Sequence, residues 1–169
     1  MGNFRIQNIK PPCRYLTEGL DTILLLDLED FNGFGFKDQG LYDSCLVTKI
    51  FKSGSPAEVE ASESAKYSAT LQNGIYTHTL EAFIDDLSAE TAATLHLATK
   101  RRYVVFFRAK NSLYFSFAYE AGAKVTYTNQ TAEGVGSLFT VAAASIYPLF
   151  EVSREAFASL TDDGGLIPT

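Results

Sequence analysis

Leu113, Phe115, Phe117 and Tyr119 alternate with Tyr114, Ser116 and Ala118. A period of two sends successive side chains to opposite faces, so this stretch predicts a β-strand with one heavy aromatic face and one lighter face. It lies in a region, residues 100–127, that also holds Tyr103, Phe106, Phe107 and Tyr127. So much aromatic surface must be buried in the chain's own core, around a ligand, or against another chain. The face bearing Phe115 and Phe117 is expected to fill the core. The face bearing Tyr114 is expected to pack under the helix expected over 88–99, or against a neighbour.

The rest of the chain supplies partners for that strand. Residues 22–28 (TILLLDL) form a short continuous apolar run, which suits a strand buried on both faces. Residues 103–107 (YVVFF) read the same way. Asn73-Gly74 separates two β-rich runs, 65–71 and 75–85, and predicts a tight hairpin. Further strands are expected at 44–51, 124–129, 137–144 and 146–152, the last interrupted near Pro148. Residues 29–40 (EDFNGFGFKDQG) read as turn material. A helix is expected over 88–99 (SAETAATLHLAT), N-capped by Ser88, with Glu90 in its first turn. Its inward stripe is expected to be Ala92, Leu95 and Thr99, with His96 beside them.

The expected fold is therefore mainly β: an antiparallel sandwich or barrel of about eight or nine strands with one packed α-helix. At 169 residues it is expected to be one domain spanning 1–169. Residues 1–21 read as an N-terminal arm, broken by Pro11-Pro12. Residues 53–64 (SGSPAEVEASES) read as a long acidic loop and 153–169 as a C-terminal tail that starts with a short turn of helix.

Composition narrows the function. A chain that is 46% hydrophobic and 20% charged is globular, not disordered. Its net charge of -6 opposes phosphate, so a nucleic-acid-binding module is not expected. Residues 1–20 contain no apolar run of the kind a secretory leader needs. The run 23–26 is far too short to span a bilayer, so no membrane partner is expected. Ile6 stands where myristoylation after Gly2 would require Ser or Thr. Synthesis in the cytoplasm is the expectation, and Cys13 and Cys45 read there as small buried or half-buried residues without a disulfide role.

No catalytic signature is present in the sequence. Gly33-x-Gly35 has no helix after it, so it does not read as a phosphate loop. His78 shares a strand face with Tyr76, Leu80, Ala82 and Ile84 and reads as a structural histidine, as does His96. The histidines and cysteines lack zinc-site spacing. Asp27 and Glu29 fall on one strand face, but solvated strand-end charge is the simpler reading than an acid/base pair. No catalytic, cofactor-binding or metal-ligating residue is assigned, and no enzyme activity is expected.

Residues 73–127 carry a resemblance. An aromatic strand (NGIYTHTLEAFI) leads into a short Ala-rich helix (LSAETAATLHLAT) and a basic junction (KRR). A very apolar strand (YVVFF), a turn (RAKN) and an alternating strand (SLYFSFAYEAGAKVTY) follow. This order resembles the small virion proteins of phages and prophages of the Bacteroides type, particularly tail-tube-like proteins. The resemblance implies a self-assembling subunit of a homo-oligomeric ring, a hexamer, stacked into a conduit that DNA passes without specific binding. It implies other virion proteins as partners and the virion, assembled in the host cytoplasm, as location. Within it Asp27, Glu29 and Asp30 are expected to face the lumen. Ser53, Pro56, Glu58, Glu60 and Glu63 are expected in an inter-subunit loop. A head–tail connector or neck protein, an injection-system tube, and a small-molecule-binding β-barrel are the alternatives.

Overall fold

The computed structural model describes residues 19–37, 45–60, 65–110, 112–132 and 134–161. In chain order the strands are β1 (Leu20–Asp27), β2 (Phe31–Phe36), β3 (Leu46–Lys52), β4 (Ala57–Val59), β5 (Lys66–Gln72) and β6 (Ile75–Ile84). Helix α1 (Ala89–Ala98) follows, then β7 (Tyr103–Ala109), β8 (Tyr114–Phe117), β9 (Lys124–Gln130), β10 (Gly136–Ser145), β11 (Phe150–Val152) and helix α2 (Arg154–Thr161). A 3-10 turn, Leu28–Asp30, joins β1 to β2. The fold is mainly β, as the alternating patterns predict.

The strands form a seven-stranded sheet in the order β2-β3-β11-β8-β7-β1-β4 and a four-stranded sheet in the order β5-β6-β10-β9. All pairings are antiparallel except β11 with β3. The large sheet curls strongly. β1 passes to β2 through three residues, yet β3, β11, β8 and β7 lie between them in the sheet. The curl brings Phe34 of β2 to 6.0 Å from Phe106 of β7 and 6.5 Å from Phe150 of β11, ring centre to ring centre.

Two apolar cores result, one on each face of the large sheet. Ile23, Leu25, Val105, Phe107 and Phe117 face the four-stranded sheet, meeting Leu80, Ala82, Val125, Phe139 and Val141. Leu24, Leu26, Val104 and Phe106 face the other way, into the curl, where Phe150, Val152 and α2 close it. The continuous apolar runs of β1 and β7 are thus explained by burial on both faces.

The Asn73-Gly74 hairpin forms as the sequence predicts. Gln72 pairs with Ile75, and the turn residues take φ of 52° and 79°. Such left-handed angles at both central residues favour Asn-Gly. Ser88 caps α1, accepting from the Thr91 amide at 3.4 Å.

Several expectations are corrected. Among the described residues there are two α-helices, and where a short turn at the start of the C-terminal tail was expected, α2 is a full helix of eight residues. Ala156, Phe157 and Leu160 share one face of α2 and are buried. Ser153 accepts from the Ala156 amide at 3.2 Å and starts the helix. Residues 162–169 lie outside the described residues, as do 1–18 of the N-terminal arm, while β1 already begins at Leu20. Residues 31–36, read as turn, are a strand. The large positive φ of Gly33 (131°) permits a bulge that shifts the register between Phe31 and Gly33. That shift brings Phe31, Phe34 and Phe36 alike onto the buried side of the curl. α1 buries Leu95, with Thr91 and Ala98 half-buried, whereas Ala92, His96 and Thr99 are exposed. The strand expected at 146–152 shortens to β11.

The aromatic strand itself divides as expected up to a point. Phe115 and Phe117 enter the inter-sheet core, and Tyr114 packs on Phe157 of α2 at 4.5 Å. Tyr114 therefore lies under a helix, but under α2. Tyr119 leaves the face of Phe117 for the second core, because Ala118 takes a left-handed φ of 69° and breaks the alternation.

Candidate assembly surfaces

The four-stranded sheet has two unlike faces. His78, Leu80, Ala82, Val125, Phe139 and Val141 point into the molecule and are buried. The other face is uncovered by any described element. Register places Lys66, Ser68 and Thr70 of β5, Thr77, Thr79, Glu81 and Phe83 of β6, Leu138, Thr140, Ala142 and Ala144 of β10, and Lys124, Thr126 and Thr128 of β9 on it. This face is mostly small hydroxyl and methyl groups. Lys66 pairs with Glu81 at 3.4 Å across it.

Its edges are also open. Among the described residues β5 pairs only with β6, and β9 only with β10. Both edge strands are seven residues long and keep unbroken register. The edges of the large sheet differ: β4 has three residues and β2 is bulged, which are ordinary ways of blunting an edge. The hairpin also projects, with every residue from Ser68 to Ile75 exposed, including Leu71 at 58% and Ile75 at 41%.

His78 anchors the base of this hairpin. It is fully buried, with the Tyr67 hydroxyl 2.6 Å from Nδ1 and the Tyr147 carbonyl 3.1 Å from Nε2. Its ring stacks on Phe117 at 5.2 Å. Burial lowers its pKa from the ordinary 6.5 and so favours the neutral ring. Both ring nitrogens have partners, which fits the structural reading of this residue.

Asp27, Glu29 and Asp30, expected to face a lumen, stand at the end of β1 and in the turn after it. None belongs to the uncovered face of the four-stranded sheet. Arg101, just past α1, clamps the first two: its Nε donates to Asp27 and its Nη2 to Glu29 at 2.6 Å. Partial burial acts to raise the Asp27 carboxyl. The Arg101 hydrogen bond, the Glu29 amide and the guanidinium charge outweigh it and hold the carboxyl below its usual value. Asp30 instead holds the loop after β3 through its carbonyl, which accepts from the Ser53 amide at 2.8 Å.

Residues 53–60 of the expected inter-subunit loop lie along the fold. β4 pairs with β1 within it, Pro56 is half-buried, and Ser53, Glu58 and Glu60 are exposed; Glu63 lies outside the described residues. A groove of about 500 Å³ runs between β4 and α1. Sequence reasoning missed this groove, the Arg101 clamp and the open edges. The one legible signal was the alternation of the hairpin: Ser68, Thr70, Gln72, Thr77 and Thr79 share one polar face, opposite Tyr67, Ala69, Leu71, Tyr76 and His78, as a strand pair with one open face must.

Cys45 is half-buried, as expected, and burial raises its thiol pKa; Cys13 lies outside the described residues. Among the described residues no group of three or more His, Cys, Asp or Glu is placed to hold a metal ion. Among them, too, no helix is long and apolar enough to cross a membrane. Compared with family models, curated proteins and solved structures, the chain matches none of them.

Proposed function

We propose that this chain is a self-assembling structural subunit, a tail-tube-like virion protein whose copies close into a ring around a conduit for DNA. The observation that carries the reading is the four-stranded sheet with two long, regular, open edges. β5 and β9 run in opposite directions, because the strand number is even and every neighbour is antiparallel. A rotated copy that sets its β5 beside β9 therefore continues the same antiparallel ladder. Such a head-to-tail contact is heterologous, and it closes into a ring when the rotation permits. Closure satisfies the unpaired edge groups that an isolated subunit leaves to water.

The bulk of the large sheet and α2 favours the outside of such a ring, where the circumference is greater. The uncovered face then lines the bore. In this arrangement the lining is the Thr-rich face, not Asp27, Glu29 and Asp30. With Lys66 paired to Glu81, that face offers phosphate no cluster of cations, which suits passage without retention. The aromatic residues, for their part, are consumed in packing. Tyr67, Phe107 and Phe117 lie within 6.3 Å of one another, centre to centre, which gives no support to a ligand-binding barrel.

Negative-stain electron microscopy with light scattering over rising concentration tests the proposal. Rings or hollow tubes are expected from the full chain, and monomers from Ser68→Lys/Thr70→Lys, which places charge on the β5 edge. A monomeric full chain at every concentration would sink the ring.

A further inference from the structure

The groove between β4 and α1 is apolar at its floor and acidic at its rim. Leu25, Val59, Ile84, Leu95 and Phe139 line it, and Glu58, Glu60 and Glu90 surround it. Among the described residues none of these three glutamates forms an ion pair. The one cation beside them, Arg101, is committed to Asp27 and Glu29. The groove therefore calls for an occupant that is apolar and positively charged.

Residues 1–18 (MGNFRIQNIKPPCRYLTE) have that chemistry. Arg5, Lys10 and Arg14 outnumber Glu18, and Phe4, Ile6 and Ile9 are interleaved with them. This segment lies outside the described residues. It joins β1 at Leu20, whose amide donates to the Ala65 carbonyl, whereas β1 reaches the groove only at Leu25. At strand rise that is about 17 Å further along. The segment thus meets the fold at the end of β1 remote from its own groove. A segment of this length spans up to about 60 Å when extended, so its own groove and a neighbour's both lie within reach, and it is the ring reading that favours the neighbour's.

We infer that the β4–α1 groove is a docking site for residues 1–18 of a second copy of this chain. The inference deepens the ring reading and rests on it: edge pairing joins copies through the small sheet, and the exchanged segment ties them through a separate surface. Each of the three rim pairs contributes a factor of about two to five. Reversing all three weakens the contact roughly tenfold or more.

The test uses the full chain in a Cys13→Ser/Cys45→Ser background carrying Ile6→Cys and Thr94→Cys, treated with a short bismaleimide and imaged in parallel. A ladder of covalent dimers and higher species is expected. Adding Arg5→Glu/Lys10→Glu/Arg14→Glu should deplete the ladder about tenfold. Adding Glu58→Lys/Glu60→Lys/Glu90→Lys as well should restore it. A monomer cross-linked within itself overturns the assignment to a second copy. Rings without any ladder overturn the docking and leave the ring standing, whereas monomers with neither overturn both.

Discussion

β7 and β5 are both seven residues long, yet they occupy opposite environments. β7 has a strand on each side and a core on each face, and Val104, Val105, Phe106 and Phe107 are at most 2% exposed. β5 has a strand on one side, and beyond Tyr67 all its residues are exposed. A strand like β7 holds the fold together. A strand like β5 contributes little burial of its own, and its regular ladder ends at an open edge. The contrast separates the part of the molecule that determines its stability from the part available to other chains.

Emptying the β7 side should cost most. Phe106→Ala removes a fully buried ring at the centre of the curl. It should destabilise the chain by about 3–5 kcal/mol, read from urea unfolding. A loss below about 1 kcal/mol would show that the second core is loosely packed.

Tyr67 is where the two environments meet, and Tyr67→Phe sharpens the boundary. It removes the hydroxyl at His78 Nδ1 and leaves a buried ring nitrogen unpaired. A cost of about 1–3 kcal/mol is expected. The same site sets a pH response. His78 titrates in the unfolded chain near 6.5 and below that when folded. Between those values the unfolded chain binds more protons. The contribution of the neutral ring is therefore complete above pH 6.5 and declines as pH falls toward the folded value. Urea midpoints from pH 8 to 5 should drop more steeply for the native chain than for His78→Gln; parallel curves would remove His78 from the account.

The Arg101 clamp should matter less, because the guanidinium is half-exposed. Asp27→Asn should cost about 0–1 kcal/mol, and less still in high salt. Smallest of all on stability should be Ser68→Lys/Thr70→Lys, within about 0.5 kcal/mol by thermal melting. That pair breaks the comparison if it destabilises the monomer as a core change does, since β5 would then be structural after all.

Local patterns made much of this fold legible. Asn73-Gly74 fixed its hairpin because few other residue pairs accept left-handed angles at both positions. Ser88 fixed the start of α1 because its hydroxyl satisfies a free amide. The apolar runs at β1 and β7 announced burial on both faces, and the alternation at Phe115 and Phe117 assigned their face correctly. His78 among apolar neighbours was read into the core, where it is buried with both ring nitrogens partnered. These readings held because each depends on a few adjacent residues.

The misreadings share a cause as well. Phe31, Phe34 and Phe36 looked like turn residues among glycines until Gly33 bulged and the curl gave them a core to enter. Tyr119 crossed to the other core through one backbone angle at Ala118. α2 is only eight residues long; its sequence suggested no more than a turn of helix, and packing on the curled sheet holds the rest. The sequence by itself determined that this chain is a β protein with a buried pair of apolar strands, one tight hairpin and one capped helix. Only the tertiary structure decided which sheet keeps open edges and where Arg101 spends its charge. It also decided which glutamates ring an apolar groove. Those features depend on residues far apart in the chain, and contacts of that range are set by how the sheets curl and stack, not by the spacing of neighbours.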